Sequence, residues 1–120
     1  MLSAFKHNRV KNVVWLTADV HDGAAHHSPE RAAFTDFDPF WEFVSGPLNA
    51  GAFGPNVLDG TFGPRAVYVE APPAPNASPA QGFQFFGEVA IAGGSGELTV
   101  RLRGVDGSVR YQTVLQPARR

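Results

Sequence analysis

Residues 96–103 read GELTVRLR, and their alternation is the strongest constraint in the chain. Leu98, Val100 and Leu102 fall on one side of an extended backbone, and Thr99, Arg101 and Arg103 on the other. The flanking stretches FQFFGEVAI and SVRYQTVL have the same strand character, with aromatic and β-branched residues throughout. The joins are AGGSG and VDGS, which place glycine where a tight hairpin needs positive φ. These features predict an antiparallel meander of three strands with one apolar and one wet face.

The N-terminal part reads differently. VVWL, residues 13–16, has four consecutive apolar residues, two of them β-branched, which predicts a strand buried on both faces. Leu2, Phe5 and Arg9 have helical spacing, and basic residues gather at the end of that stretch, where a helix dipole favours them. Helix followed by buried strand is half of an α/β unit, and VVWL is buried only if other strands flank it. Residues 22–39 show no period and are expected to be loop. DPFWEFVSGP could open a short helix, with Asp38 as N-cap and Pro39 at its first position, but residues 40–44 hold three aromatics and a valine, so a strand is expected over residues 41–45, ended by Gly46 and Pro47. Residues 46–64 contain three Gly-Pro pairs and predict an ordered loop packed by its own Phe53, Leu58 and Phe62. RAVYVEA is a further short strand, and PPAPNASPAQG a surface loop. The expected class is α/β, an α+β fragment with a β-rich tail.

Composition removes several functions. The chain has 120 residues, enough for one domain, and its 43% apolar content suits a globular core. A net charge of −1 gives no basic surface for nucleic acid or anionic lipid. Cysteine is absent, so disulfides and thiolate metal sites are excluded. No apolar run approaches the roughly 20 residues that span a bilayer. The N-terminus lacks the apolar stretch and cleavage site of a signal peptide. No P-loop, G-x-S-x-G or C-x-x-C motif is present.

The remaining chemistry is concentrated just after VVWL, in WLTADVHDGAAHH. If the strand runs through Asp19 and His21, their i, i+2 spacing puts both side chains on one face. A carboxylate oxygen and an imidazole nitrogen are ligands for iron, manganese or zinc, and strand C-terminal ends in open α/β sheets are where ligands bind. The same two residues also read as a turn-capping acid and a half-exposed histidine. His26 and His27 are adjacent and face opposite ways, so they cannot share one ion. His26, five residues after His21, can reach a substrate phosphate if the loop curls back, and equally reads as a solvated loop histidine. His7 belongs to the basic helix end. Asp36 and Asp38 flank Phe37 and read as turn and cap residues before an acid–base or calcium pair. Asn49, Asn56 and Asp59 read as turn residues, and Phe34, Phe37, Phe40, Trp41 and Phe43 as core.

Taken together, NVVWLTADVH, then AAHH, then AAFTDFDPFWEFVSGPLNAGAFGPNVLDGTFGP, and LQP after the meander resemble the C-terminal third of the alkaline phosphatase D (PhoD-like) family. The resemblance runs from about Leu2 to Pro117. It implies the calcineurin-like metallophosphoesterase fold, a β-sandwich flanked by helices, with the present chain as the C-terminal part of a single domain. It implies hydrolysis of phosphomonoesters, and in some members diesters, with iron and calcium as cofactors, in proteins that are typically exported. The family's T-G-D-V-H motif is matched by Thr17, Asp19, Val20 and His21, with Ala18 in place of glycine. The resemblance therefore gives Asp19 and His21 a metal-site role, and places His21 and His26 at the catalytic centre. The family's other ligands lie in segments without a counterpart here, so a missing N-terminal part of the same domain is the expected partner, beside a small phosphate ester, and the isolated chain is expected to be inactive. Two other functions remain open: a non-enzymatic β-rich module binding a partner or sugar through its aromatic Gly/Pro loop, and a complete small hydrolase built from Asp19, His21 and His26.

Overall fold

The computed structural model describes residues 1–28 and 32–118. Among the described residues seven strands form two sheets. The first sheet contains β1 (Val14–Thr17), β2 (Gly23–Ser28), β3 (Phe40–Ser45) and β4 (Arg65–Glu70) in the order β1-β3-β2-β4. It is mixed: β1 runs parallel to β3, and β2 runs antiparallel to both β3 and β4. The second is the expected meander, β5 (Phe85–Ile91), β6 (Leu98–Gly104) and β7 (Val109–Leu115), antiparallel throughout.

The two sheets pack face to face. Phe43 and Ala25 from the first meet Val100 and Leu102 from the second, all almost fully buried. Trp41, Val14, Tyr68, Leu98, Tyr111 and Leu115 surround this centre. Side chains such as Phe43 and Leu102 each contribute about 1.5–3 kcal/mol when fully buried, which makes this seam the main stabilising contact. The predicted register of β6 holds: Val100 and Leu102 are buried, while Arg101 and Arg103 lie on the opposite face and share the Glu88 carboxylate at 2.6 Å each. Phe85 closes the seam against Gly23, where an added Cβ would come 3.3 Å from the Phe85 ring.

Several expectations need correction. The sheets are present, but flanking helices are not seen among the described residues. Helix α1 (Leu2–His7) has six residues, and the other helical segments are single 3-10 turns, Gly60–Phe62 and Pro79–Gln81. VVWL does not become a central strand. β1 pairs on one side with β3 and, among the described residues, leaves its other edge open, with Leu16 62% exposed. The expected loop over residues 22–39 contains β2, an interior strand of the sheet; residues 29–31 of that stretch lie outside the described residues. Gly-Ala-Ala-His-His-Ser carries little strand propensity, and its conformation is imposed by ladders on both sides. The strand expected at residues 41–45 is present as β3, and RAVYVEA as β4.

The glycine-rich loop is ordered, but Phe53 and Phe62 remain 38% exposed. Its anchor is Ala52, fully buried and paired with Ala77 in a two-bond bridge. Phe62 packs edge-on to Phe34 and Phe37, extending the aromatic cluster over the start of β3. Among the described residues no helix starts directly after Asp36 or Asp38, so neither caps one, and each pairs with a basic side chain. Asp36 accepts from His7 at 3.1 Å and Asp38 from Lys11 at 2.8 Å, so the loop before β3 is tied to the N-terminal segment. Asp59 is a turn residue as expected, its Oδ1 accepting from the Thr61 N–H at 2.7 Å.

Candidate functional site

β1 ends at Thr17, so Asp19 and His21 lie two and four residues beyond it. Both have positive φ, 79° for Asp19 and 59° for His21. The strand does not extend through them, and the alternation argument for a shared face does not apply. Non-glycine residues in this region are strained, and such strain concentrates at functional sites.

Asp19 is exposed, whereas His21 is held on two sides. Its Nδ1 lies 2.5 Å from the Gly51 carbonyl oxygen, and its own carbonyl accepts from the Phe53 N–H at 3.0 Å. The Phe53 ring lies beside the imidazole, with centroids 5.5 Å apart. A carbonyl oxygen can accept and not donate, so Nδ1 carries the proton, and Nε2 is the ring nitrogen left without a partner among the described residues. That is the arrangement of a metal-ligating histidine, whose other nitrogen is fixed by a carbonyl or carboxylate.

Asp22 follows directly and is 4% exposed. Its Oδ1 is buried without a hydrogen-bond partner among the described residues. Its Oδ2 lies where a Cβ on Gly54 would approach to 2.5 Å, so glycine is what allows the loop to pass. Burial pushes the Asp22 carboxyl above the usual carboxylate range, and the nearby His26 opposes this.

His26 and His27 point to opposite faces of β2, as their adjacency requires. His27 lies against Trp41 in the seam, with ring centroids 4.8 Å apart. His26 points away from the seam and meets Glu42, its register partner on β3. His26 Nδ1 is 3.1 Å from Glu42 Oε2, and the Thr17 hydroxyl donates to Glu42 Oε1 at 3.0 Å. The hydrogen bond from His26, reinforced by the one from Thr17, holds the Glu42 carboxyl below the usual range against the effect of burial. Glu42 thus links β1, β3 and β2 on one face. Sequence reasoning missed it; its one visible signal was a carboxylate inside the apolar run FWEFV.

These residues fit a bound ion in part. His21 presents a prepared nitrogen, Asp19 an exposed carboxylate two residues away, and Asp22 a buried oxygen lacking a partner. Among the described residues no three His, Asp or Glu side chains converge on one point. Asp19 and His21 have no hydrogen bond or ion pair between them, and His26 is engaged with Glu42 and not with His21.

The chain matches the family model described as PhoD-like phosphatase over residues 1–102. Comparison with curated proteins and with solved structures gives no match. The family model covers the strained bend, the His26–Glu42 pair and the glycine-rich loop, and on that match the chain belongs to the PhoD-like phosphatase family.

Proposed function

We propose that this chain supplies the Asp19–His21 part of the centre of a metal-dependent phosphoric ester hydrolase, with iron and calcium as the ions its family resemblance implies. The observation that carries the reading is the His21 Nδ1 contact to Gly51, which prepares Nε2 as a ligand atom. A bound ion would supply charge stabilisation to the phosphoryl oxygens of an ester. The chain's own part is to orient. The Gly51–Phe53 loop fixes the His21 ring, Asp19 offers a carboxylate, and His26 stands as the nearby proton-handling group.

Two ligands do not hold an ion firmly, and the remaining ones are assigned to polypeptide outside these 120 residues, as the N-terminal part of the same domain. The open edge of β1, the exposed Leu16 and the buried Trp15 N–H without a partner among the described residues support that assignment. A second reading, a non-enzymatic binding module, draws support from a hollow of about 550 Å³ beside the aromatic loop, walled by Trp15, Phe34, Phe40 and Phe62.

Hydrolysis of p-nitrophenyl phosphate with added metal tests the first reading. The isolated chain is expected to stay at background. The chain joined to the preceding polypeptide of its own gene is expected to turn over, and to lose most of that rate on Asp19→Ala or His21→Ala. Metal-dependent turnover by the isolated chain that disappears on His21→Ala would establish a complete small hydrolase instead. A longer protein without turnover would favour the binding module.

A further inference from the structure

We propose that Glu42 is a positioning residue for His26: it fixes the imidazole with Nδ1–H toward the sheet and presents Nε2 as the atom that meets a phosphate ester, while Thr17 locks the carboxylate. The role assigned to the ester rests on the reading above; the positioning itself does not.

The argument begins with register. Glu42 stands opposite His26 on one side and opposite Trp15 on the other, so it occupies the interior strand between β1 and β2. Each carboxylate oxygen has one partner: Oε2 takes His26 Nδ1 at 3.1 Å, and Oε1 takes the Thr17 hydroxyl at 3.0 Å. Two contacts from two different strands leave the carboxylate little rotational freedom. An ionised carboxylate accepts and cannot donate, so the proton between the two side chains belongs to His26 Nδ1. The other ring nitrogen is then left to act, because the bond made by one imidazole nitrogen sets the state of the other.

The backbone contributes as well. The β2–β4 ladder shifts register between Ala25 and His26. The extra residue is Val67 on β4, while β2 keeps an unbroken register with β3, so His26 stays directly opposite Glu42. The His26 side chain is 11% exposed, so the ring is largely enclosed. Among the described residues Nε2 has no hydrogen-bond partner. Thr17 is also the first residue of the matched T-A-D-V-H stretch. The hydroxyl that locks Glu42 therefore sits two residues before Asp19, and the relay and the bend share one short segment.

The test is a long-range ¹H–¹⁵N correlation spectrum of the imidazole rings of the 120-residue protein, without metal or ester, with His26 assigned by His26→Phe. In the wild type, neutral His26 is expected to show a protonated Nδ1 and a bare Nε2. Glu42→Val keeps a strand-forming side chain but removes the acceptor, and is expected to move most of the His26 population to the Nε2–H form. Thr17→Val frees one carboxylate oxygen and is expected to give an intermediate shift. A wild-type His26 protonated on Nε2 would overturn the proposal, and this holds even if Glu42→Val does not fold. A folded Glu42→Val protein with an unchanged tautomer would overturn it as well. Adding inorganic phosphate as a probe should then shift Nε2 more than Nδ1 in the wild type. Phosphate shifting neither nitrogen, with the tautomers as expected, would remove the ester role and leave the positioning intact.

Discussion

His21 Nδ1 and the Gly51 carbonyl oxygen lie 2.5 Å apart across thirty positions of sequence, and the Phe53 N–H donates back to the His21 carbonyl at 3.0 Å. The pair joins the strained bend after β1 to the glycine-rich loop. His21→Ala removes the side-chain half of this clasp and is expected to cost about 1 kcal/mol in urea unfolding, the net worth of one hydrogen bond. An unchanged midpoint would mean that the clasp contributes nothing to stability.

The same loop is fitted around Asp22. Gly54 has φ of +106°, and an added Cβ would sit 2.5 Å from Asp22 Oδ2. Gly54→Ala combines backbone strain with a contact that has to shift, for an expected loss of about 1–3 kcal/mol. Gly46→Ala is the control: nothing lies within 4 Å of its added Cβ, and about 0.5 kcal/mol or less is expected. Equal midpoints for the two variants would contradict the close approach.

Two leucines separate the seam from the open edge. Leu102 is 1% exposed in the core cluster, and Leu16 is 62% exposed on β1. Leu102→Ala is expected to cost about 2–5 kcal/mol and Leu16→Ala about 0.5 kcal/mol or less. Thermal or urea unfolding of the two variants checks the order. A larger loss at Leu16 would show that β1 is covered in solution.

Glu42 carries a pH dependence whose sign is fixed. Its folded-state pKa is lowered from an ordinary 4.5, chiefly by the hydrogen bond from His26. A depressed carboxyl stabilises the fold above its unfolded value, and that stability is lost as pH falls through the folded value. Glu42 is about one-third exposed, so solvent screening reduces the effect. Glu42→Gln should flatten the decline in urea midpoint between about pH 6 and pH 3 relative to the wild type. Equally steep profiles would place the acid-sensitive groups elsewhere.

The meander was legible because each of its strands carries its own signal. Leu98, Val100 and Leu102 alternate on one face, and the turns supply glycine where positive φ is required, as at Gly96 and Gly107. β2 was not legible because Ala24, Ala25 and His26 have no intrinsic reason to be a strand; two neighbouring ladders make them one. VVWL reads as a strand, but its apolar run reports how that strand would be satisfied and not which neighbours it has, and among the described residues only β3 pairs with it. At the site, D-x-H drew attention to Asp19 and His21, but the positive φ at both residues is invisible in sequence. The partnership of His26 with Glu42 depends on a register between segments sixteen residues apart, and no local pattern encodes it.

The central claim is that Asp19 and His21 are metal ligands, and a manganese titration tests it most directly. Paramagnetic Mn²⁺ broadens signals close to it, and the four histidines of this chain provide resolved imidazole protons at four different places. The ring protons of His21 and the backbone amide of Asp19 are predicted to broaden first, at metal levels that leave His7 and His27 sharp, with weak affinity in keeping with two ligands. His21→Ala should abolish the broadening at Asp19. First broadening at His7, where Asp36 lies 3.1 Å away, with His21 unchanged, would contradict the account.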